Sequence, residues 1–187
     1  MRTLITGMSA VGKSSVINEL IKLGHRAVDL DTDEWSHLVA DDTDFADSAS
    51  DAPMDWKWRE PKVRALLSNT AEGTLFLAGT STDQSRLYPL LDHIVLLTIP
   101  VATAKQRLAS RTTNEYGKDP AELRRELQLR TIVEPLIRRP ACLEIDTSMH
   151  PLSAVVTMIT NHVIAGDCAA AWPTGQAESP RRSKPSR

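Results

Sequence analysis

The sequence has few cysteines, few aromatic residues and no long hydrophobic run. Among its 187 residues are 2 cysteines, Cys142 and Cys168, too few for a disulfide framework, which favours a reducing compartment and a cytoplasmic location. The most apolar stretch, residues 94–102, is too short to span a bilayer. The N-terminal residues lack the long apolar core of a signal peptide. These absences argue against the secreted, fibrous and membrane-spanning classes.

An excess of one charge sign is also absent. Lys and Arg number 22, Asp and Glu number 24, and the net charge is −2. Such a chain has no overall field that would draw it to nucleic acid or to an anionic membrane, and we expect neither as a partner. Hydrophobic residues make up 41% of the chain, which is typical of a soluble globular domain with a single core.

Short apolar runs alternate with segments of helical periodicity. The runs are residues 4–6, 26–30, 75–78, 94–97 and 143–145, and the predicted helices are around 16–21, 61–67, 103–111, 119–138 and 152–164. This alternation predicts an α/β fold with a parallel sheet covered by helices on both faces. Pro135 is expected to kink or end the fourth helix. Residues 165–187 are rich in small, Pro and basic residues, and we interpret them as a disordered basic tail.

A phosphate-binding motif follows the first apolar run. Residues 7–14 match the pattern G-x-x-x-x-G-K-[ST] at every fixed position. The two glycines let consecutive N–H groups point at one anion, Lys13 carries charge to the β- and γ-phosphates, and the Ser14 hydroxyl can ligate Mg²⁺. The motif therefore predicts binding of ATP and Mg²⁺. The predicted contact residues are Gly7, Met8, Ser9, Ala10, Val11, Gly12, Lys13, Ser14 and Ser15.

Two aspartates, Asp31 and Asp33, follow the second apolar run. Ligands of open α/β sheets bind beyond the carboxyl ends of the strands, so both aspartates are expected beside the phosphate loop. One carboxylate could bind Mg²⁺ and the other could accept a proton from an acceptor hydroxyl. A solvated acidic loop is the alternative interpretation.

With these motifs, the chain over about residues 1–164 resembles shikimate kinase and its neighbours among the small P-loop kinases. The resemblance implies a three-layer P-loop fold with a five-stranded parallel sheet of order 2-3-1-4-5. It also implies an acceptor-binding insertion at about residues 34–60 and a mobile lid at about residues 111–120. In shikimate kinases the Asp-x-Asp pair serves magnesium and the acceptor hydroxyl, which assigns these roles to Asp31 and Asp33 respectively.

Arginines near the predicted lid are candidates for binding phosphate. Arg107 and Arg111 lie four residues apart on a predicted helix and therefore share a face. In the resembling family this region closes over ATP and delivers arginines to the phosphates. A solvated arginine face is the alternative. Arg130, on the next helix, could reach the phosphates or the acceptor, or lie on the helix surface.

The stretch after the third strand departs from the shikimate kinase pattern of three consecutive glycines. Only Gly79 is present, so we expect an acceptor other than shikimate. Thr80 and Gln84 could hydrogen-bond an acceptor or the γ-phosphate, or simply belong to a polar loop that caps a helix. No acidic residue ends this strand, which disfavours motor ATPases and strengthens the metal-binding role of Asp31.

The predicted insertion lacks basic residues between Arg26 and Lys57, whereas aspartates accumulate there. Those aspartates are Asp41, Asp42, Asp44, Asp47, Asp51 and Asp55. In the resembling kinases an arginine near this place binds an anionic group of the acceptor, and Arg59 is the candidate here. The acidic run favours a neutral, zwitterionic or cationic acceptor over a nucleoside monophosphate.

The predicted function is an ATP·Mg-dependent kinase that acts on a hydroxyl of a small molecule. Asp146, after the fifth strand, is expected near the adenine, as the resemblance implies. The five histidines show no metal-ligand spacing. A nucleoside or nucleoside-monophosphate kinase is one alternative, and a nucleotide-binding regulatory ATPase without an acceptor is another. The sequence leaves monomer and homodimer both open.

Overall fold

The computed structural model describes residues 1–40, 54–69, 72–112 and 116–166. The strands are β1 (Arg2–Thr6), β2 (Arg26–Asp29), β3 (Ser36–Ala40), β4 (Met54–Trp58), β5 (Leu75–Ala78), β6 (His93–Thr98) and β7 (Leu143–Asp146). The α-helices are α1 (Lys13–Lys22), α2 (Glu60–Ser68), α3 (Val101–Ser110), α4 (Pro120–Arg138) and α5 (Leu152–Ala165), and a 3₁₀ helix spans Gln84–Leu90.

Five strands form one parallel sheet in the order β2-β5-β1-β6-β7. Counted along the chain without the β3–β4 pair, this order is 2-3-1-4-5, which confirms the predicted topology. β1 is the central strand, with Leu4 in register with Leu77 on one side and with Ile94 on the other. The loop after β1 therefore emerges at the middle of the carboxyl edge of the sheet, where ligands of this architecture bind.

Apolar side chains on both faces of the sheet explain why helices cover it. Alternate residues of a strand point to opposite faces, so Leu4 and Ile5 of β1 enter different clusters. The Ile5 cluster includes buried residues of α1 and α5, whereas the Leu4 cluster includes Val63 and Leu67 of α2. The sheet is thus the middle layer of three, as predicted.

Two local features differ from the sequence pattern: of the two outcomes expected at Pro135, the helix does not end there, and the predicted insertion contains strands that were not expected. α4 continues past Pro135 to Arg138, because Ile137 beyond the proline packs with Met8 and Leu96 and holds the last turn in place. The region predicted as an acceptor-binding insertion contains an antiparallel pair, β3 with β4, that the sequence pattern did not indicate.

Several predictions concern residues outside the described ranges. They include five aspartates of the acidic run (Asp41, Asp42, Asp44, Asp47 and Asp51), lid residues 113–115, Cys168 and the predicted tail from residue 167 onward. The first two residues of the predicted tail instead belong to the end of α5, which is closed by Gly166. Among the described helices, none is long and apolar enough to cross a membrane.

Candidate active site

The turn between β1 and α1 has the backbone shape of an anion-binding nest. A Cβ on Gly7 would lie 2.3 Å from the Leu97 carbonyl oxygen, so only glycine permits this approach to β6. Gly12, which precedes α1, has φ 97°, and Ala10 has φ 67°, an uncommon value for a residue with a side chain. Successive turns of this kind direct neighbouring N–H groups to a common centre.

The amides of this turn are available to a ligand. Within the described parts of the chain, the amides of residues 10–15 donate to no protein acceptor. α1 has no side-chain cap and no acidic residue in its first turn, so no side chain of the helix itself offsets the positive end of its dipole. Ser14 and Ser15 are exposed there, and their hydroxyls can be reached from solvent.

Lys13 lies across the mouth of the loop. Its Nζ donates to the Gly7 carbonyl at 2.7 Å and lies 3.4 Å from Oδ2 of Asp31. The other oxygen of Asp31 accepts the Thr80 amide at 3.1 Å. The structure therefore brings Lys13, Asp31 and Thr80 together, although they come from three separate segments of the chain.

The two predicted acidic residues differ in environment. Burial raises the pKa of Asp31, against the opposing effects of Lys13 and of the Thr80 amide. Its carboxylate and the hydroxyl of Ser14, the residue after Lys13, offer oxygen atoms, which are the ligands that Mg²⁺ prefers. Asp33 is exposed and makes no hydrogen bond or ion pair with any other described residue. Asp33 is thus free to meet a ligand from solvent.

Gly79 and Gln84 pack against residues of the site and its neighbouring strands. A Cβ on Gly79 would lie 2.7 Å from Oδ1 of Asp31 and 3.1 Å from the Trp58 ring, so glycine permits this close packing. Gln84 is buried, where its Oε1 accepts from the Thr6 hydroxyl at 3.2 Å and its Nε2 donates to Tyr88 at 2.8 Å. The Gln84 amide is therefore engaged within the protein.

Arg107 contacts two loops at the carboxyl edge of the sheet. It donates to the Ala10 carbonyl at 3.2 Å, to the Thr147 hydroxyl at 3.1 Å and to the Thr147 carbonyl at 3.1 Å. Asp146 lies just before Thr147, and hydrogen bonds from Ser148 lower the pKa of its carboxyl. The predicted adenine-binding loop therefore lies against the phosphate loop.

Arg111 closes the end of α3, next to the predicted lid. It donates to the Tyr116 carbonyl, and its guanidinium carbon lies 5.8 Å from the centre of the Tyr116 ring. Burial lowers the pKa of Arg111. Burial also raises the pKa of the Tyr116 phenol, to which the neighbouring Glu126 adds. Arg111 thus belongs to the segment that flanks the loop.

Arg130 is buried beneath the phosphate loop. Its side chain is 5% exposed, donates to the Ser9 carbonyl at 2.8 Å and lies 3.7 Å from the carboxylate of Glu126. Glu126 accepts the Ser9 amide at 3.1 Å and the Tyr116 hydroxyl at 3.3 Å. Since Glu126 and Arg130 are one helical turn apart, α4 contacts both backbone groups of Ser9.

A cavity of about 470 Å³ lies beside the hairpin and the start of α2. Its lining includes Trp58, the basic residues Lys57, Arg59 and Lys62, and the acidic residues Glu60 and Asp83. Trp58 is buried, and a Cβ on Gly79 would meet both its ring and Asp31, so Trp58 borders the cavity and also the region of Asp31. Arg59, the predicted acceptor ligand, is exposed at the cavity.

Sequence reasoning missed three groups that the structure brings together. Glu126 and Thr147 contact the phosphate loop from more than a hundred residues away, and no local pattern marks them. The possible ligand atoms of His93, Cys142 and His162 lie within 4.8 Å of one another, although their spacing in sequence gave no sign of it.

Comparison with protein families identifies the domain. Residues 4–130 match the family AAA_18, described as an AAA domain. The chain belongs to this AAA-domain family. The match includes the phosphate loop, and the AAA domain is a P-loop domain, which implies nucleotide binding. No curated protein sequence matches the chain.

Solved structures with the same fold include small kinases. Shikimate kinase from Acinetobacter baumannii, in complex with shikimate, is 18% identical with a TM-score of 0.58, and the match covers 88% of this chain and 93% of that one. Deoxyadenosine kinase from M. mycoides, with bound dATP, is 13% identical with a TM-score of 0.55, and the match covers 88% and 100%. At these identities the similarity establishes the fold of small P-loop kinases.

Proposed function

We propose that this AAA-domain protein is an ATP·Mg-dependent kinase that phosphorylates a hydroxyl group of a small molecule. The observation that carries the proposal is the pairing of Lys13 with Asp31 at 3.4 Å beside the open amides of the loop. A cation, a carboxylate and unpaired N–H groups at the carboxyl edge of a parallel sheet are what phosphoryl transfer requires.

The nucleotide side of the proposed site consists of the loop and α1. The amides of residues 10–15 and Lys13 bind the phosphates, and Ser14 and Asp31 hold Mg²⁺. When bound, Mg²⁺ neutralises charge on the β- and γ-phosphates. Arg111, next to the lid, adds positive charge and helps to exclude water on closure. We therefore expect Arg111→Ala to lower turnover while ATP affinity remains close to that of the parent protein.

The transfer step uses Asp33. The acceptor hydroxyl oxygen forms a bond to the γ-phosphorus, the bond to the β-phosphate oxygen breaks, and ADP leaves. The hydroxyl proton passes to the Asp33 carboxylate, which is exposed and unpaired among the described residues. Because binding places the hydroxyl beside the phosphorus, proximity supplies much of the rate.

The cavity beside Trp58 is the proposed acceptor region. Three basic residues line it against two acidic ones, Glu60 and Asp83, and this balance favours an acceptor that carries a carboxylate or another anionic group. The acidic run had favoured a neutral, zwitterionic or cationic acceptor, and five of its six aspartates lie outside the described residues. A pair of acceptors that differ only by a carboxylate or its amide tests this point, and we expect the carboxylate to have the lower KM.

A screen for acceptor-dependent ADP release tests the proposed activity. The protein is incubated with ATP·Mg and pools of small hydroxyl-bearing metabolites, with Lys13→Ala as the inactive control. Release that depends on a nucleoside or a nucleoside monophosphate would support the alternative nucleoside kinase. ADP release at one rate with and without every pool would instead indicate a regulatory ATPase and overturn the proposal.

A further inference from the structure

The carbonyl side of the phosphate loop is held by side chains from separate parts of the fold. Each of four loop carbonyls accepts a hydrogen bond from a side chain outside the loop. The bonds are Thr80 Oγ1 to Gly7 at 2.7 Å, Arg130 Nη2 to Ser9 at 2.8 Å, Arg107 Nη1 to Ala10 at 3.2 Å and Thr147 Oγ1 to Val11 at 2.8 Å. We call these four donors, Thr80, Arg107, Arg130 and Thr147, the carbonyl frame.

The frame matters because the N–H and the C=O of a peptide group point in opposite directions, so a fixed carbonyl also fixes the direction of the N–H. A nest presents its N–H groups to the anion only while its carbonyls point outward. A carbonyl that points outward into the protein, away from water, needs a hydrogen-bond donor there. The frame supplies such a donor to three consecutive carbonyls, those of Ser9, Ala10 and Val11. Each bond therefore opposes rotation of a peptide that would turn the N–H groups away from the ligand.

Ala10 shows why such support is needed. Its φ of 67° is sterically unfavourable for a residue with a Cβ, and strained backbone persists only where its surroundings enforce it. The carbonyls of Ser9 and Ala10, on either side of this residue, both accept arginine donors. The amide of Ser9 is also held, by Glu126.

The arginines of the frame are placed to hold the loop. Arg130 is 5% exposed and its ion-pair partner Glu126 is 3% exposed, so this pair lies beneath the loop and away from solvent. Arg107 directs both terminal nitrogens at backbone and hydroxyl oxygens of the protein. These contacts differ from the predicted roles of Arg107 at the phosphates and Arg130 at the acceptor.

We infer that the carbonyl frame is a set of positioning residues that preorganises the loop for a triphosphate. The inference rests on the proposed nucleotide binding and adds to it four residues that set affinity through the loop backbone. A loop already held in its binding shape loses less conformational freedom when the ligand arrives, and its affinity is correspondingly higher.

Thr147→Val tests this inference because valine keeps the shape of threonine and removes the hydroxyl. The hydroxyl donates to the Val11 carbonyl and accepts from Arg107, so one change loosens two parts of the frame. Binding of ATP·Mg and of inorganic tripolyphosphate with Mg²⁺ is measured by calorimetry. We expect both to weaken by about three- to tenfold, the effect of losing about one net hydrogen bond.

Tripolyphosphate has no base, so it distinguishes an effect of Thr147 on the loop backbone from a direct contact between Thr147 and the base of ATP. If Thr147→Val weakens ATP but leaves tripolyphosphate within twofold of the parent protein, Thr147 contacts the nucleoside and the inference is wrong. If neither ligand is affected, the frame does not set affinity and the inference is also wrong. Thr147→Ser, which keeps the hydroxyl, is expected to bind both ligands as the parent protein does.

Two further variants complete the experiment. Thr157→Val removes an exposed hydroxyl that bonds only within α5, and is expected to change neither affinity. Thr80→Val removes the donor to Gly7 and serves if Thr147→Val does not fold, with the same weakening expected for both ligands. A parent protein that binds neither ligand would disprove the proposed function itself. Normal binding by the parent and by the frame variant, Thr147→Val or Thr80→Val in its place, would disprove the frame alone.

Discussion

Lys13 Nζ and Asp31 Oδ2 lie 3.4 Å apart across the mouth of the phosphate loop. The lysine side chain is 11% exposed and the aspartate side chain 28% exposed, so the pair is only partly screened by water. A bound triphosphate would attract Lys13, and a bound Mg²⁺ would attract Asp31. The ion pair thus positions Lys13 for the triphosphate and Asp31 for Mg²⁺ before ATP·Mg binds.

Asp31→Asn is expected to lower the affinity for Mg²⁺ in the presence of ATP by tenfold or more, on the order of 1.4 kcal/mol. The amide keeps an oxygen that can accept the Thr80 amide but loses the charge that attracts the cation. Titration of Mg²⁺ at fixed ATP measures the change. Asp92→Asn, at the amino edge of the sheet where Asp92 accepts the Arg2 amide, is the matched control, and an equal effect in both variants would remove the proposed metal role of Asp31.

Asp33→Asn is expected to lower kcat by about 10² to 10⁴, the usual contribution of a general base, with little change in ATP affinity. Asp33 is exposed and lacks described partners, so the substitution disturbs no contact that holds the fold. Steady-state rates with the acceptor found in the screen, together with nucleotide binding, measure the two effects separately. Unchanged kcat would show that another group receives the proton.

Gly79→Ala is expected to destabilise the protein by about 1–3 kcal/mol more than Gly73→Ala does. Both glycines have positive φ, but a Cβ at Gly79 meets Asp31 and the Trp58 ring, whereas a Cβ at Gly73 meets nothing within 4 Å. Urea denaturation of the two variants compares their free energies of unfolding. Equal losses would mean that the neighbours of Gly79 move aside without penalty.

Acid is expected to destabilise the fold through His93. Burial lowers its pKa, His162 lowers it further, and Asp92 opposes them. The unfolded chain, with a histidine pKa of about 6.5, therefore takes up the proton before the folded protein does, so stability decreases as the pH falls from about 7.5 to 5.5. His93→Leu removes this contribution, and an unfolding free energy with the same pH slope in parent and variant would contradict the prediction.

The phosphate loop and the sheet order could be predicted because their signals are local. The motif of residues 7–14 specifies its own backbone, and each strand of the sheet overlaps one of the predicted runs. The contacts of Ser9 could not be predicted, because Glu126 and Arg130 reach it from more than a hundred residues away. The hairpin was missed because burial along its strands does not follow residue type: Leu38 is exposed, whereas Ser36 and Trp58 are buried.

Calorimetric titration of ATP·Mg into the parent protein and into Lys13→Ala tests the central claim most directly. Lys13 is the one loop side chain whose cation we assign to the phosphates, and an ion pair of this kind contributes strongly at a partly buried site. The account predicts saturable binding by the parent protein and an affinity at least a hundredfold lower for the folded variant. Equal affinities in the two proteins would show that the nucleotide does not bind at this loop and would contradict the account.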